Sequence, residues 1–223
     1  MRAVSWEKVL ANRYNHLLVA EVVLLAAYPL LQLIHTRFPI TTALLLLAVI
    51  PSLRVVLPSK AFRSLMSVGL LAFGLHALGQ YGLVPYGNWI YVVVLALYAA
   101  FFLITIIVLV RRIASHGTVT TETVKGGIGV YFLIGIFFSL VYFLLFRFDP
   151  NAYANVTSPA VDLFYYSFVT LTTLGYGDIT PASSYAKSLA ILEAFVGQIY
   201  LAVFIAQLVG MRLAERLDAR RDR

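Results

Sequence analysis

The sequence predicts an all-α membrane protein: six transmembrane helices, with a re-entrant helix and loop between helices five and six. Three observations lead there. Of the 223 residues, 61% are apolar and 12% charged, against roughly 45–50% and about 25% in ordinary soluble domains. The 17 Lys and Arg and the 10 Asp and Glu residues cluster, so that six apolar stretches are left nearly free of charge, as segments in hydrocarbon must be. A further segment between the last two stretches is too polar at its ends to span, yet apolar in its middle.

The six spans are Leu17–Ile34, Ile40–Leu57, Leu65–Leu83, Trp89–Val110, Ile128–Phe146 and Ser188–Met211, each close to the length that crosses a bilayer as a helix. Arg2, Lys8 and Arg13 precede the first apolar run. That run is too long for a signal-peptide core and has no clear cleavage site, so it is read as a transmembrane helix. With the N-terminus in the cytoplasm, 14 Lys and Arg residues fall on the cytoplasmic side and Arg37, Arg147 and Lys187 outside. This bias sets the orientation, with both termini cytoplasmic in a multi-pass protein of the plasma membrane. It also accounts for the net charge of +7 without a nucleic-acid partner. The absence of cysteine excludes disulfides, thiol catalysis and cysteine-based metal sites.

Four units follow in order: a four-helix transmembrane domain over 1–113, a cytoplasmic linker over 114–127 rich in Thr and Gly, a second helical domain over 128–213, and a short charged tail over 214–223. The twelve residues after Met211 are too few for a regulatory domain. In the segment between Arg147 and Lys187, Ser158-Pro159 marks a helix start, an N-cap hydroxyl followed by proline at the first helical position. A helix over Pro159–Thr172 must stop near Gly175-Tyr176-Gly177. Non-helical backbone at membrane depth is tolerated where protein buries it or where it lines a wet cavity, so the segment points to a pore.

The run Thr170-Leu171-Thr172-Thr173-Leu174-Gly175-Tyr176-Gly177-Asp178 closely resembles the selectivity filter of tetrameric potassium channels, with leucine where valine is commonest. Such a filter strips K⁺ of water and replaces it with rings of backbone carbonyls. Glycine at 175 and 177 allows the backbone angles this requires. The resemblance implies ion sites formed by the carbonyls of Thr173, Leu174, Gly175 and Tyr176, with the Thr173 hydroxyl at the innermost site and Gly177 at the exit. Tyr176 would point outward and pack against the pore helix, and Asp178 would stand at the outer mouth. One filter per chain implies a homotetramer in the lipid bilayer, with K⁺ as the transported ion and no cofactor.

Gly197, 20 residues beyond Gly177, stands where inner helices of this family commonly hinge, and close packing is the alternative. Helical spacing from there puts Gln198, Leu201, Ile205, Val209 and Leu213 on one face toward the cavity, with Val209 and Leu213 as candidate constrictions. Tyr165, Thr172 and Glu193 are candidate filter supports. Relatives brace the aspartate after the filter from a pore-helix side chain. Val169 stands at one bracing position and Tyr165 at another, so a Tyr165 to Asp178 contact is expected, the alternative being that Tyr165 packs on span five. Glu193 either bonds the pore helix or takes part in gating or proton sensing.

Six spans with the pore between the last two resemble the plan of voltage-gated potassium channels, but Trp89–Val110 contains no charged residue, so steep voltage dependence is not expected. Glu21 and Arg54 stand at similar depth and would pair, as a structural contact or a ligand site. His16, His35, His76 and His116 are scattered without metal-ligand spacing, and no catalytic set of residues is present, so an enzyme is not predicted. The competing readings are a non-selective cation channel, which the intact Gly-Tyr-Gly opposes, and a non-conducting K⁺-sensing subunit.

Overall fold

The computed structural model describes residues 57–83, 87–115 and 120–221, together with 15, 17–23, 26, 43, 46, 47, 49, 50, 53 and 54. The first two predicted spans lie largely outside the described residues, as do His16, His35 and His116. From residue 59 on, the described residues form these elements: α1 (Ser59–Gln80), α2 (Asn88–Ala114), α3 (Thr121–Phe148), β1 (Tyr153–Ala154), α4 (Pro159–Leu171), β2 (Thr180–Pro181) and α5 (Ser184–Arg221). Among the described residues, α1, α2, α3 and α5 are long and apolar enough to cross a membrane, while α4, with 13 residues, is too short at 1.5 Å per residue.

The last four predicted spans correspond to α1, α2, α3 and α5, and three boundaries need correction. α1 begins at Ser59 rather than Leu65 and ends at Gln80. α3 begins at Thr121, so residues 121–127 of the predicted linker are helical. The local chemistry accounts for this: the Thr120 hydroxyl accepts from the Thr123 N–H at 3.1 Å and the Thr120 N–H reaches back to Thr123 Oγ1, the reciprocal cap that starts a helix. α5 begins at Ser184 and continues to Arg221, so the predicted tail extends the last helix through that residue.

α3 is the centre of the packing. Val130, Leu133, Ile134, Ile136, Phe138 and Tyr142 are buried along it, against Phe101 and Leu109 of α2 and Leu163 and Leu171 of α4 in one continuous core. Half of the α2 and α3 spans is buried, but only 17% of the α5 span. α5 therefore uses one narrow stripe within its own chain. Glu21 is buried beside α3, its Oε2 3.4 Å from the position a Cβ on Gly129 would take. It does not pair with Arg54: among the described residues both Glu21 oxygens lack a hydrogen-bond partner, and the exposed Arg54 guanidinium stands 5.4 Å from the centre of the Phe62 ring. An arginine near a helix end gains more from water and an aromatic face than from a buried acid.

Candidate functional site: the re-entrant helix and its loop

The start of α4 is held by a carboxylate. Asp162 Oδ2 accepts from the backbone N–H of Thr157 at 2.6 Å and of Ser158 at 2.7 Å, and from the Thr157 hydroxyl at 3.2 Å. Ser158 is the N-cap and Pro159 takes the first turn, but the Ser158 side chain makes no capping bond. That part of the sequence expectation is corrected, because an anionic acceptor outcompetes a hydroxyl at the positive end of a helix.

At the other end the helix unwinds into the loop. Thr172 is the C-cap, its N–H bonded to Phe168 O at 3.0 Å and its hydroxyl donating to the same oxygen at 2.6 Å. The N–H groups of Leu174 and Gly175 both turn back to Val169 O, at 2.9 and 3.3 Å. From there φ is positive at alternate residues: 58° at Thr173, 57° at Gly175 and 79° at Gly177. Nothing lies within 4 Å of a Cβ built on Gly175 or Gly177, so the backbone angle, rather than crowding, explains glycine there. Thr173 is the unexpected member. A β-branched residue with positive φ is an outlier, costing of order 1–3 kcal/mol and found where a site holds the backbone against its preference.

Residues 172–178 are exposed along their whole length in the single chain. Tyr176 is 67% exposed, so most of its ring is left uncovered within one chain. Beyond the loop the backbone is clasped. β1 and β2 pair antiparallel, Tyr153 with Pro181 and Ala154 with Thr180, and Ala182 N–H donates to Ala152 O at 2.8 Å. Asn155, itself at φ 63°, donates from Nδ2 to the Asp178 carbonyl at 2.8 Å. The Tyr165 hydroxyl donates to Asp178 Oδ2 at 2.7 Å, which brings together the pair the sequence singled out. That bond holds the Asp178 carboxyl below its ordinary value and pushes the Tyr165 phenol up to about 12.

Behind the loop, Glu193 of α5 is fully buried and bonded on both oxygens. Tyr142 of α3 donates to Oε2 through a short hydrogen bond, and Ser167 of α4 lies 2.5 Å from Oε1. Ser167 Oγ also lies 2.7 Å from Gly135 O. The Tyr142 ring packs against Tyr166 and Tyr153, with centroids 5.0 and 5.7 Å away. Of the two roles open to Glu193, the contact to α4 is present.

Gly197 faces α4. A Cβ there would stand 2.7 Å from Leu171 Cδ1 and 3.2 Å from Leu171 O, and α5 continues as one helix through this position. The close approach to Leu171 is the packing alternative to a hinge at this glycine. Gln198, Ile205, Val209 and Leu213 are exposed in the single chain and Leu201 is partly buried, so the predicted cavity face is left uncovered.

Sequence reasoning missed several partners. Tyr131 of α3 donates to Leu171 O at 2.9 Å, Tyr200 of α5 donates to Gly127 O at 2.7 Å, and the two rings stack with centroids 6.3 Å apart. Ser167 and Tyr142 were missed as well. The available signal was a hydroxyl on an apolar helix face, which needs a partner once buried.

Comparison with known proteins bears on residues 129–212, which match the family described as ion channel. The chain is 31% identical over 90 residues to two-pore potassium channel 3 of Arabidopsis thaliana, covering 40% of this chain and 21% of that protein. It is 39% identical over 67 residues to two-pore potassium channel 4 of the same plant, covering 30% and 24%. With two pore potassium channel b of Oryza sativa subsp. japonica it shares 43% identity over 51 residues, covering 23% and 15%. The matches thus span less than a quarter of the length of these relatives. No solved structure matches the chain.

Proposed function

We propose that this chain is a subunit of a potassium-selective channel, in which four copies close around an axis and passive K⁺ conduction runs through Thr173-Leu174-Gly175-Tyr176-Gly177. The match to the ion-channel family and the similarity to plant two-pore potassium channels support a potassium-channel family, and a channel rather than an enzyme. The observation that carries the reading is the left-handed backbone at Thr173, Gly175 and Gly177, alternating with residues of ordinary φ. Alternation of this kind turns successive carbonyls toward one side of the chain. Four such strands facing one another would present stacked rings of oxygen that replace the hydration shell of K⁺.

Each surrounding feature then has a part. The carbonyls of Thr173, Leu174, Gly175 and Tyr176 form the ion sites, the Thr173 hydroxyl serves the innermost, Gly177 marks the exit and Asp178 the outer mouth. Tyr165, Thr172 and Glu193 support the filter from outside, from the end of α4 and from behind. The α4 carboxyl end directs partial negative charge toward the cavity. Gln198, Leu201, Ile205, Val209 and Leu213 line the inner path. The uncovered filter segment and the largely exposed α5 span support assembly with further copies in the bilayer. The charge bias along the sequence supports cytoplasmic termini, and the protein is read as one of the cell membrane.

Purified protein in liposomes tests the proposal. K⁺ flux, a reversal potential set by K⁺ in mixed K⁺ and Na⁺, and a cross-linked mass of four chains are the expected results. A reversal potential indifferent to the replacement of K⁺ by Na⁺ would establish a non-selective pore, and the absence of current would leave a sensing subunit.

A further inference from the structure

The bonds around Ser167 count protons. Its Oγ lies 2.7 Å from the Gly135 carbonyl oxygen and 2.5 Å from Glu193 Oε1. A serine hydroxyl carries one hydrogen, and a backbone carbonyl can only accept. One shared hydrogen does not serve two acceptors at both of these short distances, and Gly135 O supplies none. The hydrogen of Ser167 therefore goes to Gly135 O, and the second belongs to Glu193.

We infer that Glu193 is a neutral carboxylic acid that donates from Oε1 to Ser167 and accepts from Tyr142 at Oε2, and that this proton ties α5 to the pore helix and makes the filter's support sensitive to alkaline pH. The functional half of this inference rests on the reading of residues 173–177 as a filter. The titratable groups facing Glu193 are Tyr131 and Tyr142 of α3, Tyr153 of β1 and Tyr166 of α4. Among the described residues no Lys, Arg or His forms an ion pair with it, so a carboxylate there would have hydroxyls but no cation.

When the proton leaves to water, Ser167 cannot satisfy both neighbours. If it turns its hydrogen to the carboxylate, its lone pairs face Gly135 O; if it keeps the bond to Gly135, they face an anionic oxygen. Either way α4 is pushed from α3 or from α5. Ser167 stands one helical turn before Leu171, whose carbonyl is held by Tyr131 and whose side chain abuts Gly197, so the displacement arrives at the foot of the filter.

Two measurements on the full chain in liposomes test this. The infrared spectrum of the wild type minus that of Glu193→Gln at neutral pH should contain the carbonyl stretch of a protonated carboxylic acid; the difference is needed because the buried Glu21 can contribute a band of its own. Carboxylate bands in its place would overturn the inference. In the second measurement, K⁺ flux and resistance to heat unfolding of the wild type should both weaken as pH rises. Both should lose that pH dependence in Glu193→Gln, whose amide offers an N–H to Ser167 and a carbonyl to Tyr142, while Glu193→Ala, which offers neither, should be impaired at every pH. Equal pH profiles for wild type and Glu193→Gln would refute the link. An acid band with pH-dependent unfolding but no flux at any pH would leave the proton in place and reject the channel reading instead.

Discussion

Replacing Gly197 by alanine tests packing against hinge motion, because the two give opposite signs. The added methyl would stand 2.7 Å from Leu171 Cδ1 and 3.2 Å from Leu171 O, where carbon atoms ordinarily rest at about 3.5–4.0 Å. Leu171 cannot yield easily. It is fully buried, its other methyl lies 3.2 Å from the Cβ position of Gly135, and its carbonyl is bonded to Tyr131 at 2.9 Å. The α4–α5 contact must open, at a cost of about 1–3 kcal/mol per chain as for other overpacked cores. A glycine retained only for bending predicts instead that alanine stabilises the helix by about 1 kcal/mol. The assay is denaturant unfolding at one protein and lipid concentration, since an assembling protein's stability depends on concentration. Leu171→Ala alone should cost about 2–5 kcal/mol, and the double variant should be less unstable than the sum, with a coupling of about 0.5–3 kcal/mol. A Gly197→Ala protein as stable as wild type, or costs that simply add, would refute the packing argument.

Gly177→Ala places a side chain at φ 79° with open space around it, so its cost is conformational, about 1–2 kcal/mol per chain, and K⁺ over Na⁺ preference should fall in reversal-potential measurements; unchanged preference would sink the filter assignment. Tyr165→Phe removes only the hydroxyl on Asp178 and should speed the decay of current and alter its dependence on external K⁺, whereas decay identical to wild type would mean the bond braces nothing. Because the bond from Tyr165 holds the Asp178 carboxyl below its ordinary value, its contribution is present above the ordinary carboxylate range and is lost as pH falls through the lowered value. External acidification to pH 5 should therefore leave this brace intact, and loss already at pH 6 would contradict it. Voltage dependence should be shallow, since α2 carries charge only at Arg111 and Arg112 in its last turn and each charge crossing the full field is worth about 2.3 kcal/mol per 100 mV; a steep conductance curve that flattens in Arg54→Gln would show the reasoning to be wrong.

What was legible in the sequence was local. Ser158-Pro159 marked the start of α4 to the residue, and the glycines at 175 and 177 marked where its helical backbone had to end. The Tyr165 and Asp178 pairing, 13 residues apart, was expected from the bracing position that the family resemblance implies. The partners of Glu193, 51 and 26 residues away, depend on how three helices are rotated about their axes, and hydropathy is blind to that rotation when every face is apolar. The Tyr131 to Leu171 bond, across 40 residues, was hidden for the same reason. The start of α3 was missed because Thr and Gly lower intrinsic helix propensity, while the Thr120 and Thr123 cap and the burial of Gly126 and Gly127 favour the helix. Thr173 could not be found by propensity at all, since its strained φ opposes it.

α5 is 38 residues without interruption. From Glu193 to Arg221 it extends roughly 42 Å at 1.5 Å per residue, with its upper part locked to α4 through Glu193 and Gly197. A rod fixed at one end cannot tilt at the other without loading the fixed point. A sideways force on the Arg212 to Arg221 end, whether from a charged surface or from tension in the surrounding medium, is therefore delivered as torque on the Glu193 and Leu171 contacts. In such an arrangement α5 is the lever, and its contacts with α4 are the bearing on which it turns.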